Sequence, residues 1–176
     1  MLLLMIDVGN TNTVFALYSE RVPLGEWRLS TARERTAEEY AALLIQLLTV
    51  GGFRHENIGA VLITSVVPQT VFHLRKMSRN FFGREAFVCG DDIPIPIENK
   101  LLDPREAGAD RLVNAVAAVR RYTPPLIVVD FGTATTFDVI DEEGAFLGGI
   151  IAPGINLSIE ALHLAAAQLP RIAVEP

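Results

Sequence analysis

Residues 126–139 read LIVVDFGTATTFDV, and residues 3–16 read LLMIDVGNTNTVFA. Laid over one another at an offset of 123 (130 minus 7), both give an apolar run, an Asp, an apolar residue, a Gly and then small polar residues. Asp7 falls on Asp130, Gly9 on Gly132 and Thr13 on Thr136. An apolar run closed by Gly and small polar residues and followed by a second such run reads as strand, turn, strand. The repetition predicts a duplicated α/β architecture, each copy a meander followed by helices, with a cleft between the two. The boundary is expected within 118–125, so that residues 1–118 form the first domain and 119–176 begin the second.

Outward from the first copy, strands are expected over about 2–7 and 12–18, joined by a turn at Gly9 and Asn10, with a third strand at GEWRLS, residues 25–30. Thr36 followed by Glu39 is a capping-box spacing, and Leu43, Leu44, Leu47 and Leu48 recur at helical intervals. A helix over 37–50, closed by Gly51 and Gly52, follows. GAVLITSVVP (59–68) reads as a buried strand, VFHLRKMSRNFF (71–82) as a helix, and EAFVC (85–89) as a short strand. The proline-rich DDIPIPIENKLLDP (91–104) reads as an extended connection. In DPREAGADRLVNAVAAVRRY (103–122), Asp103 can cap, Pro104 suits a first helical position, and Glu106 completes a box. One helix is expected there, bent near Gly108.

Composition narrows the functions. A net charge of −6 and a pI of about 5.1 leave no broad basic face for a polyphosphate chain, so nucleic acid is not an expected partner. The N-terminal MLLLMI lacks a basic flank and is cut short by Asp7, too short for a signal peptide or a membrane span. The single Cys89 cannot form an internal disulfide; within AFVC it reads as a small buried thiol, which fits a reducing cytoplasm. His55, His73 and His163 stand apart without metal-ligand spacing and read as surface or packing residues.

The two Asp-Gly turns carry the chemistry. Glycine lets backbone N–H groups approach a phosphate without an intervening Cβ, and Asn10, Thr11, Asn12, Thr133, Thr135 and Thr136 can donate to its oxygens. An Asp at the end of each strand would repel bare phosphate but hold Mg²⁺ or another cation that neutralises it. Either Asp could instead simply cap its own turn; the repetition favours the cation-phosphate reading. No GxxxxGK[ST] occurs, so the turns are not P-loops. In AGADRLVN, Asp110 near a helix N-terminus is a favourable charge on the dipole or, alternatively, a carboxylate that takes the proton of an attacking hydroxyl. Arg111 is either its ion-pair partner or a clamp for an anionic group on the acceptor. Gly148 and Gly149 sit inside a strand-like run, followed by Pro153-Gly154 and an amphipathic helix. That pattern serves either tight strand-helix packing or close approach of a ligand.

In this order and spacing, DVGNTNT, SVVP, GADRLVNAVAA, DFGTATTFD and GGIIAPG resemble the type III pantothenate kinases of the acetate kinase/sugar kinase/Hsp70/actin superfamily, over essentially the whole chain. The resemblance implies duplicated ribonuclease H-like (actin-like ATPase) domains. It also implies transfer of the γ-phosphoryl group of ATP to the primary hydroxyl of pantothenate, the first step of coenzyme A synthesis, in a cytoplasmic homodimer. By motif, Asp7, Val8, Gly9, Asn10, Thr11, Asn12, Thr13 and Val14 would form the ATP phosphate loop, with Thr133 a further ATP contact. Gly108, Ala109, Asp110 and Arg111 would bind pantothenate, and Asp110 would accept the proton. Asp130 would hold a monovalent cation, K⁺ or NH₄⁺, beside Mg²⁺.

Two departures from the resembling sequences stand out. Leu101 occupies a place where many of them carry a pantothenate-contacting tyrosine. They also continue past LPRIAVEP into a helical portion with a GKNT-like, substrate-binding segment. The second domain is therefore expected to be incomplete, with apolar surface exposed on the strands from 126 to 151. The alternative function is a non-catalytic or regulatory homologue, or a truncated fragment, that keeps the fold without turnover.

Overall fold

The computed structural model describes residues 1–166. The chain forms two compact units, Met1–Ile95 and Pro96–Pro176. In the first, β1 (Leu2–Val8), β2 (Asn12–Ser19) and β3 (Val22–Ser30) make the expected meander, followed by α1 (Ala37–Val50), β4 (Ile58–Ser65), α2 (Pro68–Met77) and β5 (Ala86–Val88). The five strands lie in the order β3-β2-β1-β4-β5, antiparallel within the meander and parallel from β1 through β4 to β5. The helical crossovers allow the parallel half.

Period-2 alternation places Leu4, Ile6 and Val8 of β1, Phe15 and Leu17 of β2, and Val61 and Ile63 of β4 in one core with Tyr40, Leu44 and Leu48 of α1 and Leu74 and Met77 of α2. Each such side chain, fully withdrawn from water, contributes about 1.5–3 kcal/mol. The helix begins where its capping box predicts. The Thr36 hydroxyl accepts the Glu39 N–H at 3.3 Å, and the Glu39 carboxylate accepts the Thr36 N–H at 2.8 Å. On β1 the residues between the core positions include Asp7, which is exposed near the strand's C-terminal end.

The second unit carries α3 (Ala109–Arg121), β6 (Leu126–Phe131), β7 (Ala134–Ile140), β8 (Phe146–Pro153) and α4 (Ile155–Ala165), its strands an antiparallel meander in the order β6-β7-β8. Asp7 and Asp130 are each the last residue but one of the first strand in their meander. One apolar face of this sheet, with Ile140 and Phe146 buried and Leu126 and Val128 partly so, packs on Ala115, Leu112, Ala118 and Val119 of α3. The other face leaves Ile127 68%, Phe131 70% and Ile150 69% exposed, the open apolar surface expected for these strands.

Four sequence readings are corrected. The units divide at Ile95/Pro96 and not at 118/119, because Ile97, Leu101, Ala107 and α3 all pack into the core of the second sheet. The helix expected from Asp103 is two elements. Asp103 caps only a short 3₁₀ turn, Pro104–Glu106, accepting the Arg105 N–H at 3.0 Å; Ala107 and Gly108 are extended, and α3 starts afresh at Ala109. The constant offset of 123 fails after the turn. Asp7 faces Val14 across its hairpin, whereas Asp130 faces Thr136, so the second turn is one residue tighter and Thr13 corresponds to Thr135. A one-residue slip exchanges the faces of a strand, and Thr13 and Thr135 are indeed both buried. Finally, Cys89 is half-buried at a bridge to Ile93, beyond the end of β5.

Candidate active site

The first loop spans the β1–β2 connection. Gly9 N–H donates to the Asn12 carbonyl at 2.9 Å and closes the turn, and a Cβ on Gly9 would stand 3.3 Å from that oxygen. Asn10, Thr11 and Asn12 are exposed at the tip. Beneath it the Thr31 hydroxyl donates to the Gly9 carbonyl at 2.8 Å, so the Thr13 hydroxyl, 2.9 Å from Thr31 Oγ1, is the donor in that second bond. The Thr31 N–H also holds the Thr11 carbonyl at 2.8 Å. Thr13 was expected among the phosphate contacts, but its side chain is fully buried and braces the loop from below. Thr31, the residue after the end of β3, belongs to the site for the same reason; only the strand register reveals it.

The second loop has the same construction. Gly132 N–H donates to the Ala134 carbonyl at 2.9 Å, and Thr133 lies at the exposed tip. The start of α4 abuts this turn. Gly154 N–H donates to the Thr133 carbonyl at 2.9 Å, and a Cβ on Gly154 would lie 2.3 Å from the Gly132 oxygen and 2.4 Å from that of Thr133. Gly154 therefore serves close packing against the loop backbone.

α3 crosses the sheet face that carries Asp130, Thr136 and Asp138. At its N-terminal end Asp110 Oδ1 accepts the backbone N–H of Arg111 at 2.8 Å. The Arg111 guanidinium turns away from Asp110 and pairs with Asp138: Nε donates to Oδ1 at 2.8 Å, and Nη2 donates to the same oxygen. One turn later Asn114 Nδ2 donates to Asp130 Oδ2 at 3.3 Å. Arg111, Asn114, Ala115 and Ala118 recur at three- and four-residue spacing, so one helix face is polar where it meets Asp138 and Asp130 and apolar where it meets Ile140 and Phe146. The second unit thus joins the GADR segment to the DFGTATTFD segment.

Asp138 and Asn114 are absent from the sequence-level site. An Asp between Phe137 and Val139 in an apolar strand is a signal that a paired buried charge is present, but its partner is 27 residues away and invisible without the fold. Gly149 is explained by the same pair. A Cβ there would lie 2.1 Å from the Phe137 carbonyl and 2.9 Å from both Arg111 Nη2 and Asp138 Oδ1. Gly148, at φ +120°, sits at the β7–β8 register shift, where a Cβ would lie 2.9 Å from Leu101 Cδ2. Leu101 is a packing residue there. Of the two readings of the glycine pair, close packing accounts for the geometry.

Each loop ends its strand with a single exposed carboxylate, Asp7 or Asp130. A hard cation whose remaining ligands are phosphate oxygens and water takes such a donor, so these residues fit Mg²⁺ or a larger monovalent cation beside a nucleotide.

A mixed five-stranded sheet of this order, followed by an antiparallel meander that repeats its Asp-Gly turn, defines the ribonuclease H-like fold of the actin-like ATPases. Among solved structures, a reductive activator for a corrinoid iron-sulfur protein is similar at a TM-score of 0.55 and 11% identity, over 81% of this chain and 30% of that one. The ethanolamine utilization protein EutJ from Carboxydothermus hydrogenoformans is similar at 0.51 and 14%, over 97% and 58%. Both similarities concern the fold.

Within that class the chain belongs to the type III pantothenate kinase family, whose sequence profile matches residues 3–176. It is 56% identical over 174 residues to the type III pantothenate kinase of Rhodospirillum rubrum, covering 98% of this chain and 68% of that protein. To that of Caulobacter vibrioides it is 53% identical, covering 99% and 67%. The chain spans about two thirds of the length of these curated relatives.

Proposed function

We propose that the chain phosphorylates pantothenate with ATP, giving 4′-phosphopantothenate at the first step of coenzyme A synthesis. The observation that supports this most directly is the placement of Asp110 and Arg111 at the N-terminal end of a helix whose next turn holds Asp130. Asp7–Val14 is assigned to the ATP phosphates, with Asn10, Thr11 and Asn12 at the exposed tip and Thr13 acting from below. Thr133 is a second phosphate contact. Gly108 and Ala109 line the acceptor site; their extended and early-helical backbone permits close approach.

In the transfer, Asp110 takes the proton of the pantothenate hydroxyl while its oxygen bonds to the γ-phosphorus and the bond to the bridging oxygen of the departing ADP breaks. The backbone contact to Arg111 uses one Asp110 oxygen, and the other makes no hydrogen bond among the described residues. Arg111 holds the pantothenate carboxylate. Mg²⁺, when bound, offsets the triphosphate charge, and K⁺ or NH₄⁺ at Asp130 reduces what remains. A homodimer working in the cytoplasm completes the proposal; among the described residues no helix is long and apolar enough to cross a membrane.

The test is direct. Purified chain is given ATP, Mg²⁺, K⁺ and pantothenate, and phosphopantothenate is followed by mass spectrometry. Product is expected; none, with the Rhodospirillum rubrum relative active in parallel, overturns the proposal for this chain. The exposed face carrying Ile127, Phe131 and Ile150 favours a second reading, a chain that keeps the fold without turnover. That reading predicts ATP binding without product.

A further inference from the structure

We infer that Asp138 is the positioning residue that makes Arg111 selective for a carboxylate on the acceptor; the inference rests on the pantothenate reading above. The Arg111 side chain is 13% exposed and that of Asp138 only 1%. The guanidinium is held on one edge, where Nε and Nη2 both donate to Asp138 Oδ1. Its central carbon lies over the Phe146 ring, 5.4 Å from the centroid. The missing side chain at Gly149 leaves the space the pair occupies. Thr136 Oγ1 stands 3.5 Å from the second Asp138 oxygen. Among the described residues Nη1 makes no hydrogen bond, so one donor edge remains to meet a ligand.

A guanidinium held along one edge and packed over a ring has little freedom left to lose when an anion binds, and its planar fork then presents donors in one direction. The arrangement also separates two duties. Asp138 takes the side chain of Arg111 and Asp110 takes its backbone N–H, so no ion pair to Arg111 competes for the proton that Asp110 is assigned to accept.

The test compares pantothenate with its neutral alcohol analogue, in which a hydroxymethyl group replaces the carboxylate. Steady-state kinetics are measured on the wild-type chain, Asp138→Asn and Asp138→Glu, each checked by thermal melting. Misplacing a substrate clamp by an ångström costs up to about a hundredfold. We expect the variants to raise KM for pantothenate about tenfold or more. Their kcat should change little, and KM for the alcohol should stay the same. Equal losses for both compounds, or no loss for either, overturn the inference and leave the kinase reading standing. A wild-type chain that neither binds nor phosphorylates pantothenate overturns both. Should the variants not fold, arginine side-chain NMR of the wild-type chain, assigned with Arg111→Lys, decides the matter. A slowly exchanging Arg111 Nε–H before ligand, and guanidinium shifts with pantothenate but not with the alcohol, support the inference. A freely exchanging Nε–H overturns it.

Discussion

Asp110 sits in the first turn of α3 with one oxygen on the Arg111 backbone N–H, a position that both settles the helix dipole and leaves the second oxygen for chemistry. Replacing it separates the two roles. Asp110→Asn keeps an acceptor for that N–H, so the fold should persist and ATP should bind as before, while turnover falls about a hundredfold or more. Steady-state kinetics beside a nucleotide titration check this, and unchanged turnover removes Asp110 from the mechanism. Gly149 tests packing at the same scale. Its Cβ would meet a backbone oxygen at 2.1 Å, which cannot swing aside as a side-chain tip can. Gly149→Ala is expected to cost about 1–3 kcal/mol, as overpacking does, read as a lower denaturation midpoint; an unshifted midpoint would mean that β7 and β8 separate easily.

At the scale of elements, the sequence showed most where local rules suffice. The Thr36–Glu39 box set the start of α1, and Leu44 and Leu48 lie on its buried side with Tyr40 and Ala41, whereas Leu43 is exposed. Thr36→Ala should destabilise the chain by about 1 kcal/mol, visible as a lower Tm, with Glu39→Ala giving part of the same loss because the box is reciprocal. Local rules failed at residues 103–109. Cap and proline signals at Asp103 and Pro104 were real, but they serve a single 3₁₀ turn, since the extended backbone at Ala107 and Gly108 stops it. The break makes Ala109 the first residue of a fresh helix and puts Asp110 in its first turn. Loop length was equally hidden. One residue fewer in the β6–β7 turn moved the correspondence of Thr13 from Thr136 to Thr135, which is buried as Thr13 is.

At the scale of the molecule, surface charge governs the acid limb of stability. Asp141 is held below the usual carboxylate range by a hydrogen bond from Lys100 and by the Ala145 N–H, and Asp92 by the Val88 N–H and Arg75. Lys76 holds Glu38 low, and Arg79 does the same for Glu85. Each folded value lies beneath its unfolded one, so the unfolded chain binds more protons in the interval between them. The stabilisation is complete above the ordinary carboxylate range and is lost as pH falls through the folded values. Tm should therefore be flat from pH 7 to about 5 and drop below about 4. Because Glu38 and Glu85 are exposed, added salt should shrink their share of the drop. A Tm that falls with rising pH over the same interval would contradict the assignment.

The duplicated Asp-Gly turns, the meanders that carry them and the family were all legible in the residues alone, because strand periodicity, turn chemistry and motif spacing are local properties. The sequence also showed that Asp7, Asp110, Arg111 and Asp130 carry chemistry-bearing groups near strand and helix ends. Which residue partners which came from the folded chain: Arg111 with Asp138, Asn114 with Asp130, Thr31 with Gly9, and Gly149 with the space beside them. Those pairings depend on strand register and on how α3 lies across its sheet, quantities that arise when distant segments pack and that no short window of residues encodes.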